Sequence, residues 1–199
     1  MSDPVAPDTP APDRTTLGNA IIITILLFLV AMCMGWIGTV NNPAIGEDLL
    51  KVFQKDIAGQ ITISDPVDMC MKLFFNNLEA CILLFLGGAS FGILTLFILS
   101  LNGIVIGAVT EIISKGHSAI FIAAALLPHG IFEIPAFIIS GAIGLLVAHS
   151  LIAEWYGAGD AAADTTQFAR LFLLYVLPLI AVAALVEAFI TPAVIQLVA

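Results

Sequence analysis

Long apolar stretches separated by short polar connections dominate this chain. The first stretch, residues 17–40, contains no charged residue. At about 1.5 Å per residue, a helix of this length crosses a hydrocarbon core of about 30 Å. Further apolar stretches lie at residues 72–101, 103–114, 118–150 and 171–198. This pattern predicts an all-α fold, a multi-spanning transmembrane bundle of about five helices that forms a single domain over residues 17–199.

The polar regions carry few groups able to form a core. Residues 1–16 are acidic and contain four prolines, at positions 4, 7, 10 and 12. Such a segment buries too little apolar surface to offset the entropy of ordering, so we predict a disordered tail. Residues 41–68 mix charges with isolated apolar residues, which predicts a hydrophilic connection with a short surface helix around residues 47–53.

The number of crossings is ambiguous in the middle of the chain. Asn102-Gly103 is typical of a turn, and residues 103–114 and 118–127 are each too short to cross comfortably. One solution is a re-entrant hairpin of two half-helices followed by a full span, which gives four crossings. The other is a short tilted span followed by one long kinked helix, which gives five. In both solutions the prolines at 128 and 135 break the span, and the break must be buried in protein.

Composition supports the membrane assignment and excludes one class of partner. The chain is 60% hydrophobic and only 11% charged, whereas about a quarter of the residues in soluble domains are charged. Its net charge is −9, with six lysines and arginines in total, which excludes a nucleic-acid binder. We expect a multi-pass protein of the cell membrane whose main partner is the lipid bilayer.

Three cysteines, Cys33, Cys70 and Cys81, lie in or beside apolar stretches. Their spacing fits neither a disulfide framework nor a metal site. We expect small buried thiols.

His129 and Glu133 are the most informative polar residues. An ionisable group at membrane depth costs at least about 2.5–3.5 kcal/mol on insertion scales, so each must face a partner or water. Their four-residue spacing places both on one helical face, where the carboxylate can hold the imidazole. Two interpretations stay open: a structural plug that fixes the helix register, or a proton relay or half of a metal site. No further metal ligands are evident, and we expect neither a metal nor a cofactor.

A second polar group lies at the two ends of the second apolar stretch. Asn76, Asn77 and Glu79 stand near its start, and Asn102 stands at its end. Asparagine at such positions caps a helix or bonds between helices, and Glu79 snorkels or binds. With His129 and Glu133, these residues form the candidate polar site.

Small residues recur at the spacing that lets membrane helices approach closely. Gly88 with Gly92, and Gly103 with Gly107, are separated by four positions, as are Ser140 and Gly144. Such pairs predict helix-packing faces. Motifs that would indicate an enzyme are absent from the sequence: it contains no zinc-protease His-Glu-x-x-His, no Gly-x-Ser-x-Gly elbow and no Walker lysine loop. We therefore expect a protein that is not an enzyme.

These motifs together resemble the stage II sporulation protein M family, over roughly residues 70–150. The residues that carry the resemblance are Phe74-Phe75-Asn76-Asn77, Gly87, Gly88 and Gly92, Asn102-Gly103 with Gly107, and above all Leu127-Pro128-His129-Gly130-Ile131-Phe132-Glu133-Ile134-Pro135-Ala136. The resemblance implies a multi-pass membrane protein. In spore formers, members of this family act in a membrane complex with cell-wall hydrolases, which implies a scaffold or anchoring role.

The leading functional hypothesis is a non-enzymatic membrane scaffold or complex subunit. Its expected partners are other membrane or envelope-associated proteins, or a second copy of the chain in a homo-oligomer. The alternative is a small ion or solute transporter or channel that uses the broken helix with His129 and Glu133, because discontinuous helices commonly form substrate sites. A third hypothesis, an intramembrane metal-dependent hydrolase, depends on the same two residues.

Overall fold

The computed structural model describes residues 14–44, 46–48 and 65–198, which are almost entirely helical and contain no strand. The tail prediction falls outside the described residues, except for its last positions, which begin the first helix. Most of the predicted surface helix at residues 47–53 also lies outside them. The predicted all-α fold is confirmed.

Seven helices can be traced through the described residues. They are α1 (Arg14–Asn41), α2 (Pro66–Leu86), α3 (Ile93–Ser114), α4 (Ala119–Trp155), α5 (Ala161–Leu171), α6 (Leu177–Phe189) and α7 (Thr191–Gln196). A 3-10 turn, Gly87–Ser90, extends α2, and a π-helical turn, Phe172–Val176, joins α5 to α6. Within the described residues, five continuous segments are long and apolar enough to cross a membrane, as predicted.

Side-chain caps fix where three of these helices begin. Asp65 accepts a hydrogen bond from the backbone N–H of Val67, and Pro66 occupies the first helical position. Ser118 accepts from Phe121 at the start of α4, and Asp160 caps α5. Each cap satisfies backbone donors that have no partner within the helix.

The turn after the second span lies earlier than predicted. We expected it at Asn102-Gly103, but α3 runs through both residues, and the chain turns at Phe91 and Gly92, whose φ angles are +55° and +82°. Asn102 donates its side-chain amide to the carbonyl of Ile98, so it bonds to its own helix instead of ending it. Residues 72–101 are consequently not one helix.

The break predicted at Pro128 and Pro135 is also wrong. Helix α4 continues from Ala119 to Trp155 through both prolines. A proline removes a single backbone donor, and in hydrocarbon the remaining backbone groups have no water to bond, so the helical ladder persists around it. This continuity excludes the re-entrant hairpin and leaves five crossings. The last span is likewise longer at its start than predicted, because it begins at Ala161 and not near residue 171.

Contacts between spans define their directions. On α3, Gly103 faces Phe28 and Ala31 of α1, and Gly107 faces Met32 and Trp36, so α1 and α3 run in the same direction. The intervening α2 runs back. One end of the bundle carries Lys72 near the start of α2 and Lys115 after α3, and we call it the lysine end. The opposite end, where α3 begins and α5 carries Arg170, is the arginine end.

Glycines bring the backbones of these helices into direct contact. A Cβ at Gly35 would overlap the backbone of Ile104, and a Cβ at Gly107 would overlap the carbonyl of Met32. Gly88 meets the carbonyl of Gly144 in the same way. A stripe of small residues on α4 is buried along its whole length. Its members are Ala136, Ser140, Gly144 and Ala148. Lipid offers no hydrophobic drive for helix association, so this close packing holds the bundle together.

Two glycines on α1 provide a matched test of that packing. Gly35 has no room for a Cβ, whereas Gly38 has nothing within 4 Å of its Cβ position. Gly35→Val should destabilise the protein by roughly 1–3 kcal/mol or more, because the added atoms force α1 away from α3.

Thermal unfolding in detergent measures the effect, with Gly38→Val as the control for helix propensity. Equal melting temperatures for the two variants would show that the contact between α1 and α3 does not depend on Gly35.

Candidate functional site

Three helices bring four polar side chains together inside the bundle. Asn77 comes from α2, His129 and Glu133 from α4, and Glu187 from α6. His129 Nδ1 lies 2.6 Å from Glu187 Oε2, and the side chain of Asn77 faces that of Glu133. Glu133 also lies within electrostatic range of His129 and Glu187. We call these four residues the polar cluster, and all of them lie in segments able to cross a membrane.

The contact between His129 and Glu187 is close but imperfectly aligned. Its 2.6 Å separation is short enough for a charge-assisted hydrogen bond. Nevertheless, Nδ1 and Oε2 are both buried and neither has an aligned hydrogen-bond partner. The contact is an ion pair only when the imidazole is protonated. The strength of the contact therefore depends on whether the imidazole of His129 is protonated.

The pairing of His129 differs from the one expected on α4 alone. We expected Glu133, one turn along the same helix, to hold the imidazole. Glu187 of α6 makes that contact instead, and Glu133 faces Asn77 of α2. Glu187 was left out of the predicted site, although it is the only charged residue within residues 171–198. A single charge in an otherwise apolar span is the sequence feature that identifies Glu187 as a candidate site residue.

The other candidate residues do not join the polar cluster. Asn76 is exposed and makes only a marginal 3.5 Å contact with the neighbouring Asn77. Glu79 is exposed, and Asn102 bonds to the carbonyl of Ile98 on its own helix. Helical periodicity explains the difference, because only Asn77 of this group faces the bundle interior.

Polar contacts continue one helical turn beyond the polar cluster. Cys81, four positions after Asn77, lies beside Ser140, whose hydroxyl donates to the carbonyl of Ala136. Both residues are fully buried. Cys81 lies close enough to Glu133 for an electrostatic interaction, and it is the innermost residue of this polar group on α2.

The expectation of three buried thiols holds only for Cys81. Cys33 is exposed on α1, and Cys70 is partly buried. The lipid-facing surface of a membrane helix is as apolar as its interior, so a small thiol is tolerated on either side.

The chemistry available in the polar cluster is proton exchange or the binding of a cation. It combines two carboxylates with an imidazole and an amide. Among the residues described by the structure, no group of three or more histidine, cysteine or acidic side chains is arranged to hold a metal ion.

Five apolar spans that enclose buried ionisable side chains define a polytopic membrane protein. The family model described as stage II sporulation protein M matches residues 24–192, and the chain belongs to this family. The match includes the whole polar cluster.

Two uncharacterised proteins of Methanocaldococcus jannaschii are similar to the chain. One is 31% identical over 179 residues, which is 86% of this chain and 93% of the relative. The other is 30% identical over 139 residues, which is 67% of this chain and 61% of the relative. No solved structure matches the chain.

A double-mutant cycle tests whether His129 and Glu187 interact in the folded protein. Because each residue contacts the other within a buried group, the combined effect of His129→Ala and Glu187→Ala on the free energy of unfolding should depart from additivity by roughly 0.5–3 kcal/mol. The measurement is unfolding in detergent.

The control pairs His129→Ala with Glu79→Ala, since Glu79 is exposed and outside the polar cluster. That cycle should be additive. Additive effects in both cycles would mean that the 2.6 Å contact contributes no coupling.

Proposed function

We propose that this protein of the cell membrane is a transporter or channel for protons or small cations, and that the polar cluster is its site. The observation that carries the proposal is the convergence of Asn77, Glu133, His129 and Glu187 from three different helices. A polar residue with only a structural role needs a single partner, on its own helix or on a neighbouring one. Here ionisable groups from two spans and an amide from a third share one location.

The charge of the polar cluster selects the class of solute. Two carboxylates face one imidazole, so the cluster carries negative charge unless protons or a cation neutralise it. Buried charge that is not neutralised is strongly unfavourable in a low-dielectric surrounding. The site therefore favours cations and protons over anions.

Imperfect satisfaction of the polar cluster favours transport over a purely structural role. A structural plug is most stable when all its donors and acceptors are paired. His129 Nδ1 and Glu187 Oε2 lack aligned partners although they are buried. A proton shared between these two atoms, which lie 2.6 Å apart, can be taken up or released without breaking a fully formed hydrogen bond.

Flux in proteoliposomes tests the proposal. Protein reconstituted with a trapped pH-sensitive dye, under an imposed potassium diffusion potential, should carry protons faster than empty liposomes. Glu133→Gln and Glu187→Gln keep side-chain volume but remove the ionisable group, so both should reduce flux to the level of empty liposomes.

Glu79→Gln is the matched control and should retain full flux, because Glu79 is exposed outside the polar cluster. If replacing external sodium by choline at constant potassium changes the rate, sodium takes part in transport. Flux that persists in both site variants would remove the proposal.

A non-enzymatic scaffold or complex subunit is the second candidate, supported by one surface feature. A groove of about 400 Å³ opens on the outer face of α1 and α3, lined by Met32, Cys33, Trp36, Ile37, Gly107 and Thr110. The lining is apolar apart from Thr110, and the short side chains of Cys33 and Thr110 leave room for a further helix to pack there. The occupant would be a transmembrane helix of an envelope-associated partner or of a second copy.

Crosslinking from the groove tests this candidate. A photoreactive group attached to Cys33 should give one discrete adduct in native membranes. The control carries the group at Leu185→Cys with Cys33→Ser, because Leu185 is an exposed position on α6, far from the groove in sequence. An adduct of twice the chain mass would identify a homo-oligomer. The same products from both positions, or lipid adducts alone, would argue against a scaffold.

A further inference from the structure

We infer that the polar cluster exchanges with water through the lysine end of the bundle and is closed off from the arginine end. This inference gives the proposed transport site an entrance and a seal, and in that sense it rests on the proposed function. It depends on three observations: exposure at one side of the cluster, a polar group that ends in the bundle interior, and a layer of backbone contacts beyond it.

Along α4 and α6 the polar cluster lies nearer to the lysine end than to the arginine end, since His129 is ten residues from the start of α4. Glu187 is near the last residue of α6, Phe189, and the next helix begins at Thr191. The side chains of His129 and Glu187 are 18% and 26% exposed. Ionisable groups at membrane depth face water or protein in preference to lipid, so we assign this exposure to water.

Exposure then falls along α2 toward the bundle interior. Asn77 is 7% exposed, and Cys81 and Ser140, one turn further, are completely buried. Asn77 faces Glu133, and Cys81 lies beside Ser140 one helical turn further in. The polar side chains therefore form a path that leads inward from one end of the bundle.

Backbone contacts close that path beyond Cys81. A Cβ at Gly144 would overlap the carbonyl of Leu84, and a Cβ at Gly88 would overlap the carbonyl of Gly144. A water molecule needs a cavity of at least about 10–15 Å³ and several polar partners. Helices in direct backbone contact leave no such space.

The side chains around these contacts are apolar and buried. Ile143 and Leu84 are fully buried, and Val147 is 5% exposed. The nearby hydroxyl of Thr95 donates to the carbonyl of Leu84 at 2.9 Å, so its single donor is already used within the protein. We call this layer of Leu84, Gly88, Thr95, Ile143, Gly144 and Val147 the glycine seal. Transport through the protein requires the helices at the glycine seal to separate.

Cysteine accessibility tests the entrance and the seal. The background protein carries Cys33→Ser, Cys70→Ser and Cys81→Ser, and Asn77→Cys supplies the reporter thiol in the polar cluster. Proteoliposomes of this variant are treated with a membrane-impermeant, positively charged methanethiosulfonate, added outside or trapped inside.

Two further variants report the orientation of the protein in the vesicles. Gly116→Cys places a thiol in the exposed connection at the lysine end, where the Cβ position is open, and Ala158→Cys places one in the exposed connection at the arginine end. The thiol at position 77 should react only with reagent on the side that labels Gly116→Cys. Glu133→Cys serves as a second reporter if Asn77→Cys does not fold, and it should give the same result.

Three labelling patterns would overturn the inference. Reaction from the Ala158 side alone would place the entrance at the wrong end, reaction from both sides would show that the glycine seal is open, and reaction from neither would show that water does not reach the cluster. Flux through the triple-serine background is recorded separately. One-sided labelling without flux would sink the proposed function and keep the inference, whereas flux with another labelling pattern would sink the inference alone.

Discussion

Direct backbone contact between helices at glycine positions is the constraint on which the rest of this structure depends. Apolar side chains gain no hydrophobic free energy by moving from lipid into a protein interior. The spans therefore associate through close packing and hydrogen bonds. Gly35 and Gly107 join α1 to α3, and Gly88 and Gly144 join the end of α2 to α4. These contacts fix the rotation of each helix, and the rotation decides which polar residues face inward.

The same packing places the ionisable groups. Once α2 is held against α4 at Gly144, helical periodicity directs Cys81 and Asn77 toward Ser140 and Glu133. Glu187 completes the cluster from the last span, where it meets His129 at 2.6 Å. A bundle that only needed to be stable in lipid could replace these residues by apolar ones, since buried ion pairs are often no more stabilising than packed hydrophobic residues. Stability alone therefore does not require these residues, and this supports the proposed movement of a charge through the cluster.

Much of the fold could be predicted from the sequence because membrane thickness sets the length of the apolar stretches. About five apolar spans, the burial of small residues such as Ser140, and the need of His129 for a polar partner followed from length, spacing and the cost of burying charge. Turn signals in the sequence were less reliable. Asn102-Gly103 and Pro128 commonly end helices in soluble proteins, but both lie within continuous helices here. The partner of His129 could not be predicted, because the pairing of Glu187 with it depends on how α6 docks against α4.

The central claim is that the polar cluster exchanges a proton, and infrared difference spectroscopy tests it directly. Spectra of the purified protein in lipid, recorded between acidic and alkaline conditions, should contain a carboxyl band of a buried group. That band should disappear or shift in Glu133→Gln and in Glu187→Gln and remain unchanged in Glu79→Gln. A spectrum in which neither substitution in the polar cluster alters any titrating carboxyl band would contradict the claim.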